Sequence, residues 1–278
     1  MGARLAGRQH AAPRTVEGYL GEMPLRLAVA ALLLWPVGLL AQDGAAPAAA
    51  YADYGQVLQS YVRDGRVDYA RLAGEDPPEW RRFLAWLGEA RPEEWGIEER
   101  RAFWINAYNA RVIAGVLRHY PIDSVRDIGW FGGRVRGFFE RKDHLVAGRR
   151  WTLDDIERRI LLAPPVFEDR VHWALSCASE SCPRLRAEPY RAGMLDTQLD
   201  FQARTFLNGP SGHRLDRDAR TLYLTRIFHW YADDFRQAAG SVREYAARYL
   251  TGAAAAAAGD PQWSIEYLDY DWSLNQAR

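Results

Sequence analysis

The segment Val171-His172-Trp173-Ala174-Leu175-Ser176-Cys177-Ala178-Ser179-Glu180-Ser181-Cys182-Pro183 holds both cysteines of the chain and one of its six histidines. No other stretch brings a nucleophile, a base and a metal-ligating group so close together. A thiolate attacks only if a base within hydrogen-bond reach takes its proton and a third group orients that base. A free cysteine titrates near about 8.5, so a working site must lower that value. His172 is the nearest imidazole, and Glu157, on the preceding predicted helix, is the candidate to orient it. Residues 171–176 read as a strand. Strand alternation sends His172 and Ser176 to one face and Cys177 to the other. The turn that follows can return Cys182 to the His172 face. Pro183 also allows Cys182 to cap a short helix, where the dipole favours a thiolate. The residues therefore lean to Cys182 as the partner of His172.

Three other readings of the same residues stay open. His172, Cys177 and Cys182 could ligate zinc, but their spacing is not that of a usual finger and a fourth ligand is lacking, so no metal or other cofactor is expected. The cysteines could form a disulfide if their Cα atoms approach within about 7 Å. A loop that short gains little from chain entropy, so the bridge would shape a turn or switch reactivity. They could also be inert thiols packed as small hydrophobes.

The chain of 278 residues has a formal net charge of zero and 48% hydrophobic residues. That is enough for a sizeable core, and the neutral balance argues against nucleic acid as a partner. Eleven tryptophans and fourteen tyrosines suit aromatic packing or a groove for a peptide or sugar. Residues 27–41 form an apolar run preceded by Arg26 and ended by Ala41, the pattern of a secretory signal peptide. Residues 1–41 are thus expected to be a leader, with Met23 the better start. The expected location is periplasmic or secreted, with no stable membrane insertion after cleavage. Export would favour the disulfide.

The elements that must position the site read as follows. Helices are predicted over 51–63, from Pro77-Pro78, and over 97–119, where Pro121 ends the longest. That last helix is apolar nearly all round, which predicts burial. Asn106 and Asn109 share one of its faces; they either tie the helix to neighbouring loops or, with Trp104 and Tyr108, line a pocket for substrate. Val135, Phe138, Phe139, Leu145 and Val146 read as short strands, and Thr152 with Asp155 as a helix start close to a capping box. Helix follows over 194–207, a turn at 208–212, a strand over 220–224 and a short helix over 226–235, in which Asp233 and Asp234 read as capping or solvated carboxylates. The alanine run 253–258 reads as a loop insertion, and alternating aromatics close the chain. The irregular mixture predicts an α+β fold: one domain over 51–275, with the long buried helix packed on a small sheet.

Several stretches together resemble the domain-of-unknown-function 547 family. They are Ala102-Phe103-Trp104-Ile105-Asn106-Ala107-Tyr108-Asn109-Ala110, Trp151-Thr152-Leu153-Asp154-Asp155-Ile156-Glu157, the cysteine segment itself, Ile227-Phe228-His229-Trp230-Tyr231 and Tyr270-Asp271-Trp272-Ser273-Leu274. The resemblance implies a papain- or transglutaminase-like thiol site with Glu157, His172 and either Cys177 or Cys182, and a small-peptide or glutathione-like ligand. Plant members keep cysteine at the first position and serine at the second, which pulls toward Cys177. The chain departs from the pattern at His229, where lysine is more usual, and at the alanine run.

The function expected is that of an exported thiol-dependent hydrolase or transferase. Its rival is a non-catalytic exported module that binds a peptide or carbohydrate and is stapled by a Cys177–Cys182 bridge.

Overall fold

The structure, a computed structural model, describes residues 45–128 and 136–277. Helix α1 (Ala45–Tyr61) buries Tyr54, Val57, Leu58 and Tyr61 at helical spacing. A hairpin of β1 (Val62–Arg63) and β2 (Arg66–Val67) follows. It turns through Asp64 and Gly65 at φ 49° and 75°, positive values that an Asp-Gly pair adopts readily. Asp68 caps α2 (Tyr69–Glu75) by accepting from the Arg71 N–H. Pro77 and Pro78 open α3 (Pro78–Glu89), and the Phe83 ring of this helix stacks on Tyr54 at 4.3 Å.

The predicted central helix is α4 (Ile97–Leu117), which stops short of Pro121 and is buried along most of its length. After α5 (Arg136–Phe139) comes a second hairpin, β3 (His144–Val146) and β4 (Arg149–Trp151). Helix α4 packs on this small sheet. Trp104 meets Trp151 edge to face at 5.5 Å, and the Arg111 guanidinium donates to the carbonyls of Leu84 and Leu145. Thr152 and Asp155 form the capping box of α6 (Leu153–Asp155), which runs on into a π-helical turn, Ile156–Leu161.

The remaining elements are α7 (Val171–Ala174), α8 (Leu195–Leu207), β5 (His213–Asp216), β6 (Thr221–Leu224), α9 (Ile227–Trp230), α10 (Ala232–Ala239), α11 (Val242–Tyr249), α12 (Gly252–Gly259) and β7 (Ser264–Tyr267). β6 is central in its sheet, antiparallel to β5 and parallel to β7. All these elements belong to one unit, residues 42–278, with two hydrophobic cores. The first gathers α1 to α4 and the β3–β4 hairpin. The second gathers Trp173, Phe206, Leu222, Phe228, Phe235 and Tyr245. The fold is a mixed α+β domain with small sheets.

Three expectations are corrected. Residues 171–174 are a helical turn and not a strand. Val171, Ala174 and Leu175 fall at helical spacing and enter the first core, while Trp173 enters the second. Phe138 and Phe139 are helical; Val135 lies outside the described residues. The alanine run is helix α12, because alanine is the strongest helix former and Ala254, Ala257 and Ala258 are buried on one face. Helix α11, which the sequence reading missed, begins where Ser241 accepts from the Glu244 N–H. The leader segment falls outside the described residues. Among those described, no helix is long and apolar enough to cross a membrane.

His144, on β3, is buried. Burial pushes its pKa down to about 4, and the neighbouring Asp143 opposes this only in part. The sign follows directly. A base depressed in the folded state contributes stability that is complete above its unfolded value of about 6.5 and is lost as pH falls toward about 4. His144→Gln should flatten the acid limb of a denaturation-midpoint-versus-pH curve over that window. A parallel curve would show that His144 does not set it.

Candidate active site

The site is built around α7. Val171, Ala174 and Leu175 are held by one core and the fully buried Trp173 by the other. Trp173 stacks on Phe206 and Phe235 and donates its indole N–H to the Tyr245 hydroxyl at 3.1 Å. His172 lies between these anchors. Its ring is 4.2 Å from that of Tyr231 and 5.0 Å from that of Phe235, and its Nε2 is 3.0 Å from Asp234 Oδ2. A carboxylate accepts only, so Nε2 carries the proton in this pair. Truncating a buried tryptophan costs about 3–5 kcal/mol, against about 1 kcal/mol net for a typical hydrogen bond. Packing therefore decides where His172 sits, and Asp234 decides how its ring is oriented.

Residues 174–176 are fixed by Asn109 on α4. Its Nδ2 donates to the Ala174 carbonyl at 3.0 Å, and its Oδ1 accepts from the Ser176 N–H at 2.8 Å. The next residue is Cys177, which forms a disulfide with Cys182; their Cα atoms are 5.9 Å apart. The loop between them is held by the C-terminal tail. The N–H groups of Glu180 and Ser181 donate to the carbonyls of Ser273 and Asp271, and the Asn275 N–H donates to Ala178. Arg66, from β2, forks onto the Glu180 carboxylate at 2.7 and 2.8 Å. At the tip of the β1–β2 turn, a Cβ on Gly65 would lie 2.4 Å from Arg184 Cβ, so only glycine allows this approach.

The same tail delivers Tyr270. Its hydroxyl is 3.2 Å from both sulfurs and 3.3 Å from Ser179 Oγ. Tyr270, Glu157, His172, Cys177 and Cys182 line one cavity of about 230 Å³, together with Tyr108, Trp230, Tyr231 and Trp272. Glu157 projects from the π-helical turn and is buried. Burial pushes its carboxyl up, while the nearby His172 and a hydrogen bond to Tyr231 pull the other way. Burial likewise raises the Tyr270 and Tyr108 hydroxyls. Trp230, Tyr270 and Trp272 form an aromatic cluster, with centroids 4.6 to 5.7 Å apart.

The structure thus brings Glu157, His172, Cys177 and Cys182 into one cavity. A helical turn in place of a strand removes the alternation that set His172 against Cys177. Of the four residues expected to bind substrate, Tyr108 lines the cavity, while Trp104, Asn106 and Asn109 are not in its wall. Trp104 packs between Phe103 and Trp151. Asn106 exchanges both bonds of its amide with the Tyr190 backbone, as Asn109 does with residues 174 and 176. These asparagines tie α4 to neighbouring loops. The zinc reading loses its ligands, since both sulfurs are in the bridge. Asp234 is not merely a solvated or capping carboxylate. Nothing local marks it, because its partner is 62 positions away. Tyr270 carried a signal, as the head of the tail motif.

Burial of Glu157 makes a prediction. An acid raised in the folded state contributes most stability below its unfolded value, about 4.3, and loses it as pH rises through the folded one. Glu157→Gln should therefore gain on the parent in urea midpoint as pH rises from about 4 toward neutrality. A constant difference across that range would contradict the burial effect.

Residues 92–207 match the model of a family described as Protein of unknown function, DUF547. The match includes Asn109, Glu157, His172 and both cysteines, whereas Asp234 and Tyr270 lie beyond it. No curated protein and no solved structure matches the chain.

Proposed function

We propose, with residues 92–207 matching the DUF547 family model, that the cavity is the active site of a thiol-dependent hydrolase or transferase. Its substrate is a small peptide or a glutathione-like molecule. The observation that carries the reading is the convergence of Cys177, His172 and Glu157 on one cavity, with Asp234 bonded to His172 Nε2. In the reduced protein, Cys177 is the nucleophile, because it is the more exposed of the two cysteines. With Nε2–H committed to Asp234, the other imidazole nitrogen takes the thiol proton. The sulfur adds to the substrate carbonyl. The imidazolium then returns the proton to the leaving group, and water or a second nucleophile releases the acyl group from sulfur.

The role first read for Glu157, orienting the imidazole, passes to Asp234. Glu157, whose burial favours the protonated form, serves as a proton donor in the cavity. The Glu180 and Ser181 N–H groups of the 178–181 turn are spent on the tail and do not serve as oxyanion donors. The Tyr270 hydroxyl, which reaches the cavity beside Cys177, serves that role instead. The leader pattern and the disulfide favour a periplasmic or secreted setting.

The bridge itself favours a second reading, in which the cavity only binds and the disulfide is a staple. One experiment separates the two. Protein reduced without air is mixed with thioesters of short peptides, and intact mass records acyl transfer. An acyl adduct on Cys177 is expected in the parent and in Cys182→Ser and not in Cys177→Ser, with Asp234→Asn slower by about 10²-fold. Equal turnover in Cys177→Ser would end the nucleophile reading.

A further inference from the structure

The two sulfurs of the bridge are not equivalent. Cys182 is 2% exposed, and its Sγ receives the Cys177 N–H at 2.9 Å, with Ser179 Oγ at 3.3 Å and the Tyr270 hydroxyl at 3.2 Å. Cys177 is half-buried and faces the cavity, with the same two hydroxyls at 3.2 Å and, among the described residues, no backbone donor. A fixed N–H aimed at one sulfur stabilises negative charge there. Bridge cleavage is faster when the departing thiol has the lower pKa, and it requires access to the sulfur attacked. Both conditions select attack at Cys177 and departure of Cys182.

The bridge is also redundant as a staple. It spans five positions, too few to remove much chain entropy. The loop is already fixed by the tail, by Asn109 and by the Arg66–Glu180 pair.

We propose that Cys177–Cys182 is an exchange-active disulfide that oxidises low-molecular-weight thiols in the cavity. The incoming thiolate, its proton taken by His172, bonds to Cys177 Sγ. The Cys177–Cys182 bond breaks, and Cys182 leaves as a thiolate held by the Cys177 N–H and the neighbouring hydroxyls. A second thiolate attacks the mixed disulfide at the small-molecule sulfur. It releases the small disulfide and leaves Cys177 reduced. Two thiols lose two electrons in all, and the protein gains them with two protons. The cavity is shared with the reading above, but no acyl transfer is required, so the two proposals fail separately.

The test uses the folded, oxidised protein and 2-mercaptoethanol without air, with quenching by alkylation and peptide mapping. The native bridge should open at least about tenfold faster than the same bridge in urea-unfolded protein, through a mixed disulfide on Cys177. Tyr270→Phe combined with Ser179→Ala should slow the native rate about tenfold and leave the unfolded rate unchanged. That unfolded control keeps the test valid if the variant is less stable. Three results would each overturn the proposal: native opening slower than unfolded opening, a mixed disulfide on Cys182, or a native rate that ignores both hydroxyls.

Discussion

Val171 and Trp173 are two positions apart and belong to different hydrophobic cores. One helical turn shared in this way cannot rotate without pulling apolar surface from one core or the other. His172 sits between the two anchors, so its position is fixed by packing on both sides. Asp234 then orients the placed ring through a hydrogen bond. An imidazole positioned by two cores is preorganised, and its geometry does not depend on a ligand arriving.

The cysteine loop is held by a second constraint, of longer range. The tail reaches back to three separate segments through isolated pairings: Val67 with Gln276, Ser124 with Ser273, and Ser179 with Leu274. The pairing at Ser179 secures the loop, and Tyr270, part of the same tail, sets its hydroxyl beside both sulfurs. The amide of Asn109 performs a comparable task on the approach to Cys177, presenting one donor and one acceptor to a backbone that has no strand partner there. The polar side chains and the tail together supply the regularity that a sheet would otherwise provide.

What was legible in the sequence was local. The capping box at Thr152 and Asp155 and the stop before Pro121 depend on neighbours within a few positions. The composition of the cysteine segment singled out residues that line the cavity, because a cysteine pair beside a histidine is chemically conspicuous anywhere. The local shape of that segment was not legible. A run that feeds two cores shows apolar residues at nearly every position, and such a run fits a strand and a helix equally well. Asp234 and Tyr270 reach the site only through tertiary packing, and an Asp-Asp pair in a short helix resembles any solvated end. The asparagines of α4 were visible as buried polar groups, but their partners, the backbones at 174, 176 and 190, could not be read from spacing.

Central to the function proposed here is a thiol at Cys177 that gives its proton to His172. The most direct measurement is the pH dependence of iodoacetamide alkylation in the Cys182→Ser protein, which leaves one cysteine. A midpoint well below the ordinary value of about 8.5 is expected, together with its return to about that value in the same protein carrying His172→Gln. A midpoint near about 8.5 with His172 intact, or one that His172→Gln leaves unchanged, would contradict it.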